Sequence, residues 1–103
     1  MDNYLQQVSD TFEQIGVTIY SDELCCQVLA YVFVYGGGNE QVVYNTAFNQ
    51  VIRIAQKKAN IFGSEIPNIE YVALIQKYIK ELKISEPKWL LSLEKRYNLK
   101  TYK

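Results

Sequence analysis

Two cysteines side by side and no histidine at all set the limits on the chemistry this chain could perform. Histidine is the side chain that exchanges protons near neutral pH and the usual activator of serine and cysteine nucleophiles, so its absence closes the common acid–base and triad designs. Cys25 and Cys26 project from consecutive Cα atoms, and a bridge between such neighbours is strained. Two thiols without histidine cannot fill a tetrahedral zinc site unless carboxylates complete it, and no CxxC spacing is present. They read as two small apolar residues of a buried helix, and their unpaired use fits a reduced, cytoplasmic setting. Gly36-Gly37-Gly38 is followed by Asn39-Glu40 rather than by a lysine, so it reads as a connector and not as a phosphate loop. Glu65, Glu70, Glu81, Glu86 and Glu94 include no adjacent pair on an apolar background and read as solvated helix charges. On these grounds the sequence supplies no catalytic residue, cofactor site or metal ligand. The expectation is a protein that is not an enzyme and takes no small-molecule substrate.

Charge is the stronger signal. Residues 1–52 hold six carboxylates and no cation, whereas residues 53–103 hold all eleven lysines and arginines against five glutamates, giving formal charges of −6 and +6. The net charge of zero hides this asymmetry, which can serve an acidic partner or draw two halves of one domain together.

The elements that must position these groups read as helices. At 103 residues the chain is sized for one domain with one core, residues 1–103. Its longest apolar run, Leu24 to Tyr35, falls short of the roughly 20 residues that cross a bilayer. The first residues, Met1-Asp2-Asn3-Tyr4-Leu5-Gln6, lack the features of a secretory signal. Leu5, Val8, Phe12 and Ile15 mark one stripe of a first helix, with Gly16 ending it through a permissive φ. Ser21-Asp22-Glu23 caps a second, central helix that is apolar nearly all round. Val32-Phe33-Val34-Tyr35 and Val42-Val43-Tyr44 are strand formers about a glycine turn, so a hairpin across residues 28–46 in an α+β fold is the competing reading. Asn39-Glu40 caps a third helix with a stripe of Val43, Ala47, Val51 and Ile54. A loop from Ile61 to Pro67 leads to a fourth helix on Val72, Ile75, Ile79 and Leu82. Ser85-Glu86-Pro87 opens a fifth that runs to about Tyr97. The fold class is therefore all-α, about five helices in one small bundle.

Residues 69–97 resemble a helix-turn-helix, with Leu82, Ile84, Trp89 and Leu93 as the clamp between two helices and Ser85 as the cap. On that resemblance Lys88, Lys95 and Arg96 would meet nucleic-acid phosphates, joined by Arg53 and Lys57 on the third helix and Lys77 and Lys80 on the fourth. Lys83 stands where glycine is usual in the turn, and Leu90 and Leu91 stand where base-reading groups belong. Nine tyrosines and one tryptophan suit core edges and protein interfaces alike. Tyr71, Leu74 and Tyr78 form a second apolar stripe on the fourth helix, which predicts a protein interface there, together with Leu90 and Leu91. The expected function is thus a non-catalytic protein-protein interaction module or assembly subunit, in the form of a homodimer or bound to another protein. A nucleic-acid-binding domain is the alternative.

Overall fold

In the computed structural model, which describes residues 2–36, 47–61, 66–97 and 99, a helix capped at Ser21 forms the centre of an all-α bundle. The hydroxyl of Ser21, a residue with extended backbone, accepts from the Leu24 amide at 3.1 Å. Asp22 and Glu23 occupy the first turn, where carboxylates complement the unpaired amides. This helix, α2 (Asp22–Tyr35), is buried without interruption from Cys25 to Phe33, because other helices cover it on more than one side. The expected all-round burial is therefore present. The hairpin alternative fails over residues 28–35, which are helical, and no strand occurs among the described residues. Strand propensity there yields to packing: branched and aromatic side chains suit any buried surface, and α2 has one on every side. Residues 37–46, with the rest of the glycine connector, the Asn39-Glu40 cap and Val42-Val43-Tyr44, lie outside the described residues.

Around α2 stand α1 (Asp2–Ile15), α3 (Ala47–Lys58), α4 (Asn68–Ile84) and α5 (Lys88–Tyr97). The principal contacts are α2 with α4 and α1 with α3, with α1 and α3 also touching α2. One hydrophobic cluster joins all five helices within extents of 28 × 27 × 22 Å. Each large side chain fully removed from water there contributes about 1.5–3 kcal/mol.

Two stripes turn out displaced from their sequence reading. On α1, Tyr4 joins Val8 and Phe12 in the core while Leu5 and Ile15 are half-buried. The Tyr4 hydroxyl donates to the Leu29 carbonyl at 3.0 Å, so the ring can be fully buried without leaving its oxygen unpaired. On α3 the core face among the described side chains is Phe48, Val51, Ile52 and Ala55, so of the expected stripe Val51 is in the core while Ile54 is half-buried. The Phe48 ring lies parallel to that of Tyr4 with centroids 6.1 Å apart, and a large ring claims the core ahead of Ile54.

Gly16 earns its place differently from the expectation. It opens a 3-10 turn, Gly16–Thr18, without entering the left-handed region, and a Cβ there would lie 2.4 Å from the Lys58 carbonyl oxygen. Close approach of two backbones requires the glycine. The end of α3 is sewn on at this point, since the Asn60 amide reaches the carbonyls of Gly16 and Ile19 at 3.1 and 2.7 Å. Lys58 also pairs with Glu13, one cation of the second half meeting one acid of the first.

Candidate functional site

Asp22, at the first turn of α2, sits at a seam that is closed by α4. The Tyr71 hydroxyl donates to Asp22 Oδ1 at 2.9 Å and also hydrogen-bonds the Cys25 thiol, tying α4 to the start of α2. Cys25, Cys26 and Tyr71 are buried, and both thiols are free. Burial pushes the Cys25 thiol up to about 12 and raises Cys26 likewise, with Cys25 and Asp22 as further causes for the latter. The Tyr71 and Tyr4 phenols are also raised by burial. All four groups are therefore protonated at neutral pH, where a nucleophile would need to be ionised. Among the described residues no buried side-chain nitrogen or oxygen is left without a partner. No group of three or more His, Cys, Asp or Glu is gathered to hold a metal ion among them.

Glu23, one residue on, faces the opposite situation. It lines an open cleft of about 220 Å³ between the start of α2 and α5, whose other walls include Tyr20, Leu24, Trp89, Leu93 and Arg96. Trp89, Leu93 and Arg96 are spaced i, i+4 and i+7 and so share one face of α5. Leu90 and Leu93 in the core fix that face against the bundle. Trp89 is held from behind: its Nε1 donates to Glu81 Oε1 at 3.0 Å, and its ring meets Tyr78 edge-on at 5.2 Å. At the rim the Arg96 guanidinium lies 5.7 Å from the Tyr20 ring centre and donates to its hydroxyl at 3.3 Å. The Tyr97 hydroxyl donates to the Thr18 carbonyl at 3.4 Å, a second tie between α5 and the segment before α2. The lining mixes apolar Leu24, Trp89 and Leu93 with polar Ser21, Gln27 and Ser92, and it carries one carboxylate and one guanidinium.

The residues singled out for a protein interface are mostly elsewhere than expected. Tyr71, Tyr78 and Leu90 lie in the chain's own core, and Leu74 is half-buried against it. Within that second stripe of α4, Tyr71 is tied to α2 and Tyr78 packs against Trp89. Only Leu91 is well exposed, at 58%. The face of α4 that does meet water carries Ile69 and Ile84 at its two ends, with Lys77 and Lys80 between. Arg53, Lys57, Lys77, Lys80, Lys88, Lys95 and Arg96 are all exposed, divided among α3, α4 and α5.

The helix-turn-helix resemblance is altered at its turn. Leu82 and Leu93 are buried and Trp89 packs on the core, but Ile84 is 83% exposed and clamps nothing. Ser85 terminates α4, its amide donating to the Glu81 carbonyl at 3.1 Å, instead of capping α5. The cause is Pro87, which disfavours helical backbone at Glu86 and postpones α5 to Lys88. The Leu90 amide then bonds the Pro87 carbonyl at 3.0 Å.

Sequence reasoning missed the cleft. The i, i+4, i+7 spacing of Trp89, Leu93 and Arg96 was a usable signal for half of it; nothing local ties Tyr20 to Arg96, 76 positions away. Comparison with protein-family models, curated proteins and solved structures finds no match for this chain. No helix among the described residues is long and apolar enough to cross a membrane.

Proposed function

We propose that this chain is a non-catalytic protein-protein interaction module, or small assembly subunit, and that its docking point is the cleft between the start of α2 and α5. The observation that carries this reading is the meeting of Tyr20, Trp89 and Arg96 around one open cleft. These are the side-chain types that most often dominate binding energy at protein interfaces. Trp89 and Arg96 are also held in place by Glu81, Tyr78 and Tyr20, so little rotamer freedom remains to be lost on association. The volume of about 220 Å³ is below the 300 Å³ or so at which pockets for drug-sized ligands begin and suits a single protruding side chain. The non-catalytic part of the reading is supported by the thiols and phenols of the closed seam, which burial keeps protonated.

The test is affinity capture from the source cells with the wild-type chain, Tyr20→Ala and Glu23→Lys immobilised side by side. Both substitutions are at exposed positions and should leave the circular dichroism spectrum and Tm close to wild type. The reading expects a protein, further copies of the chain included, retained by wild type and lost from both variants. Identical retention on all three would overturn it.

The nucleic-acid alternative has one observation in its favour, the exposure of all seven cations proposed to meet phosphates. A phosphate-gripping surface would give DNA or RNA affinity falling steeply between about 50 and 200 mM salt. Absence of binding at the lower salt removes it.

A further inference from the structure

The cleft between the start of α2 and α5 is lined by two opposite charges that do not meet. Glu23 and Arg96 both border it, yet no ion pair joins them among the described residues. Arg96 is turned onto the rim, where its guanidinium hydrogen-bonds the hydroxyls of Tyr20 and Tyr97. Lys88 and Lys95, the other cations of α5, are exposed and form no part of the lining. The Glu23 carboxylate is exposed and makes no hydrogen bond or ion pair among the described residues. It is the unmatched charge of the cleft.

We infer that the cleft takes an arginine side chain presented by a protein partner, with its guanidinium against the Glu23 carboxylate and its methylene stem on Leu24 and Leu93. The inference rests on the cleft's being a docking point, as proposed above, and adds the chemistry of the group that docks. An apolar occupant would cover Glu23 and leave its charge without a partner, which is costly. An acidic occupant would face Glu23 as a like charge and compete with Tyr20 and Tyr97 for Arg96. A planar guanidinium bonds both oxygens of a carboxylate and packs on an indole such as that of Trp89; a lysine ammonium, a compact and strongly hydrated point charge, matches this less well. The hydroxyls of Ser21 and Ser92 supply acceptors for its remaining N–H groups. Residues 1–52, to which Glu23 belongs, carry six carboxylates and no cation, so the field on that side of the cleft also favours a basic segment.

Trp89 is the chain's one tryptophan, so its indole reports on the cleft directly. The test follows its Nε1–H proton resonance while the wild-type chain is titrated with N-acetyl-arginine amide, and in parallel with the lysine, glutamate and leucine analogues. The arginine compound should move the resonance and saturate with a dissociation constant on the order of 1 mM, as a ligand of that size allows. Glu23→Gln, which keeps the shape and removes the charge, should raise that constant about fivefold, as for a charge pair open to solvent. Arg96→Gln, which removes the like charge and keeps Glu23, should bind at least as tightly as wild type. A wild-type resonance that ignores the arginine compound overturns the inference, as does an equal or tighter response to any of the other three, or binding indifferent to Glu23→Gln. Capture lost from Tyr20→Ala and Glu23→Lys, by a chain that ignores the arginine compound, would leave the docking reading standing and remove this one alone. Capture unaffected by both substitutions would remove the docking reading itself.

Discussion

The first turn of α2 borders two seams that receive similar side-chain types and treat them in opposite ways. Toward α4, half-buried Asp22 and buried Cys25 share hydrogen bonds with buried Tyr71. Toward α5, Glu23, Tyr20 and Arg96 stand around an open cleft. The first seam holds the two thiols, which burial keeps protonated. The second has the aromatic and charged groups on which the proposed docking rests. Reactivity and availability are separated by one residue of helix and about 100° of rotation.

Substitution of Tyr71 should expose this contrast most strongly. Tyr71→Ala leaves a cavity between α2 and α4, strips the hydrogen bond from Asp22, and should cost about 3–5 kcal/mol in a urea or guanidinium titration. A loss below about 1 kcal/mol would mean that the seam is not closed. Tyr71→Phe, which keeps the ring and removes only the hydroxyl, should cost about 1–2 kcal/mol by the same measurement.

Alkali should act on the closed seam. The Cys25 thiol rises from an ordinary value of 9.0 to about 12 because the folded state favours its protonated form. A group whose folded pKa is raised contributes stability that is fully present below its unfolded pKa. That contribution is lost as pH climbs through the interval between the two values. The Cys25 contribution should therefore be level from neutral pH to about 9 and decline toward pH 12, with Cys25→Ala flattening part of the decline. Native-state alkylation at pH 8 should likewise be limited by opening of the fold; labelling at the rate of an exposed thiol would contradict the burial.

Changes at the cleft should hardly register on stability. Tyr20 is 64% exposed, and Tyr20→Ala gives up an exposed stacking contact with Arg96 worth about 0.5–1 kcal/mol while removing partner capture. A large fall in Tm instead would recast Tyr20 and Arg96 as a structural clasp holding α5.

Local pattern carried much of the architecture. The Ser21 cap, the length of the apolar run after it and the 3.6-residue recurrences of the other segments were enough to read an all-α bundle with α2 at its centre. Cys25 and Cys26 were legible as buried thiols for the same reason. The candidate site was far less legible. α4 is apolar on two sides, and periodicity alone does not say that the side bearing Tyr71 and Tyr78 faces inward while Ile84 faces water. Gly16 looked like a helix terminator because only its own neighbours were in view; its actual constraint comes from Lys58, 42 positions away.

By itself, then, the amino-acid sequence determined where α1, α2, α4 and α5 begin and end to within a turn, which helix is central, and that nucleophiles are scarce. Those properties depend on residues within one or two turns of each other, where propensity, capping and periodicity act. Tertiary structure decided which tyrosines are sealed and which are offered, by bringing Asp22 to Tyr71 across 49 positions and Tyr20 to Arg96 across 76. The physical reason is that a helix presents every one of its faces to its surroundings, and only the packing of the other helices selects the faces that lose their water.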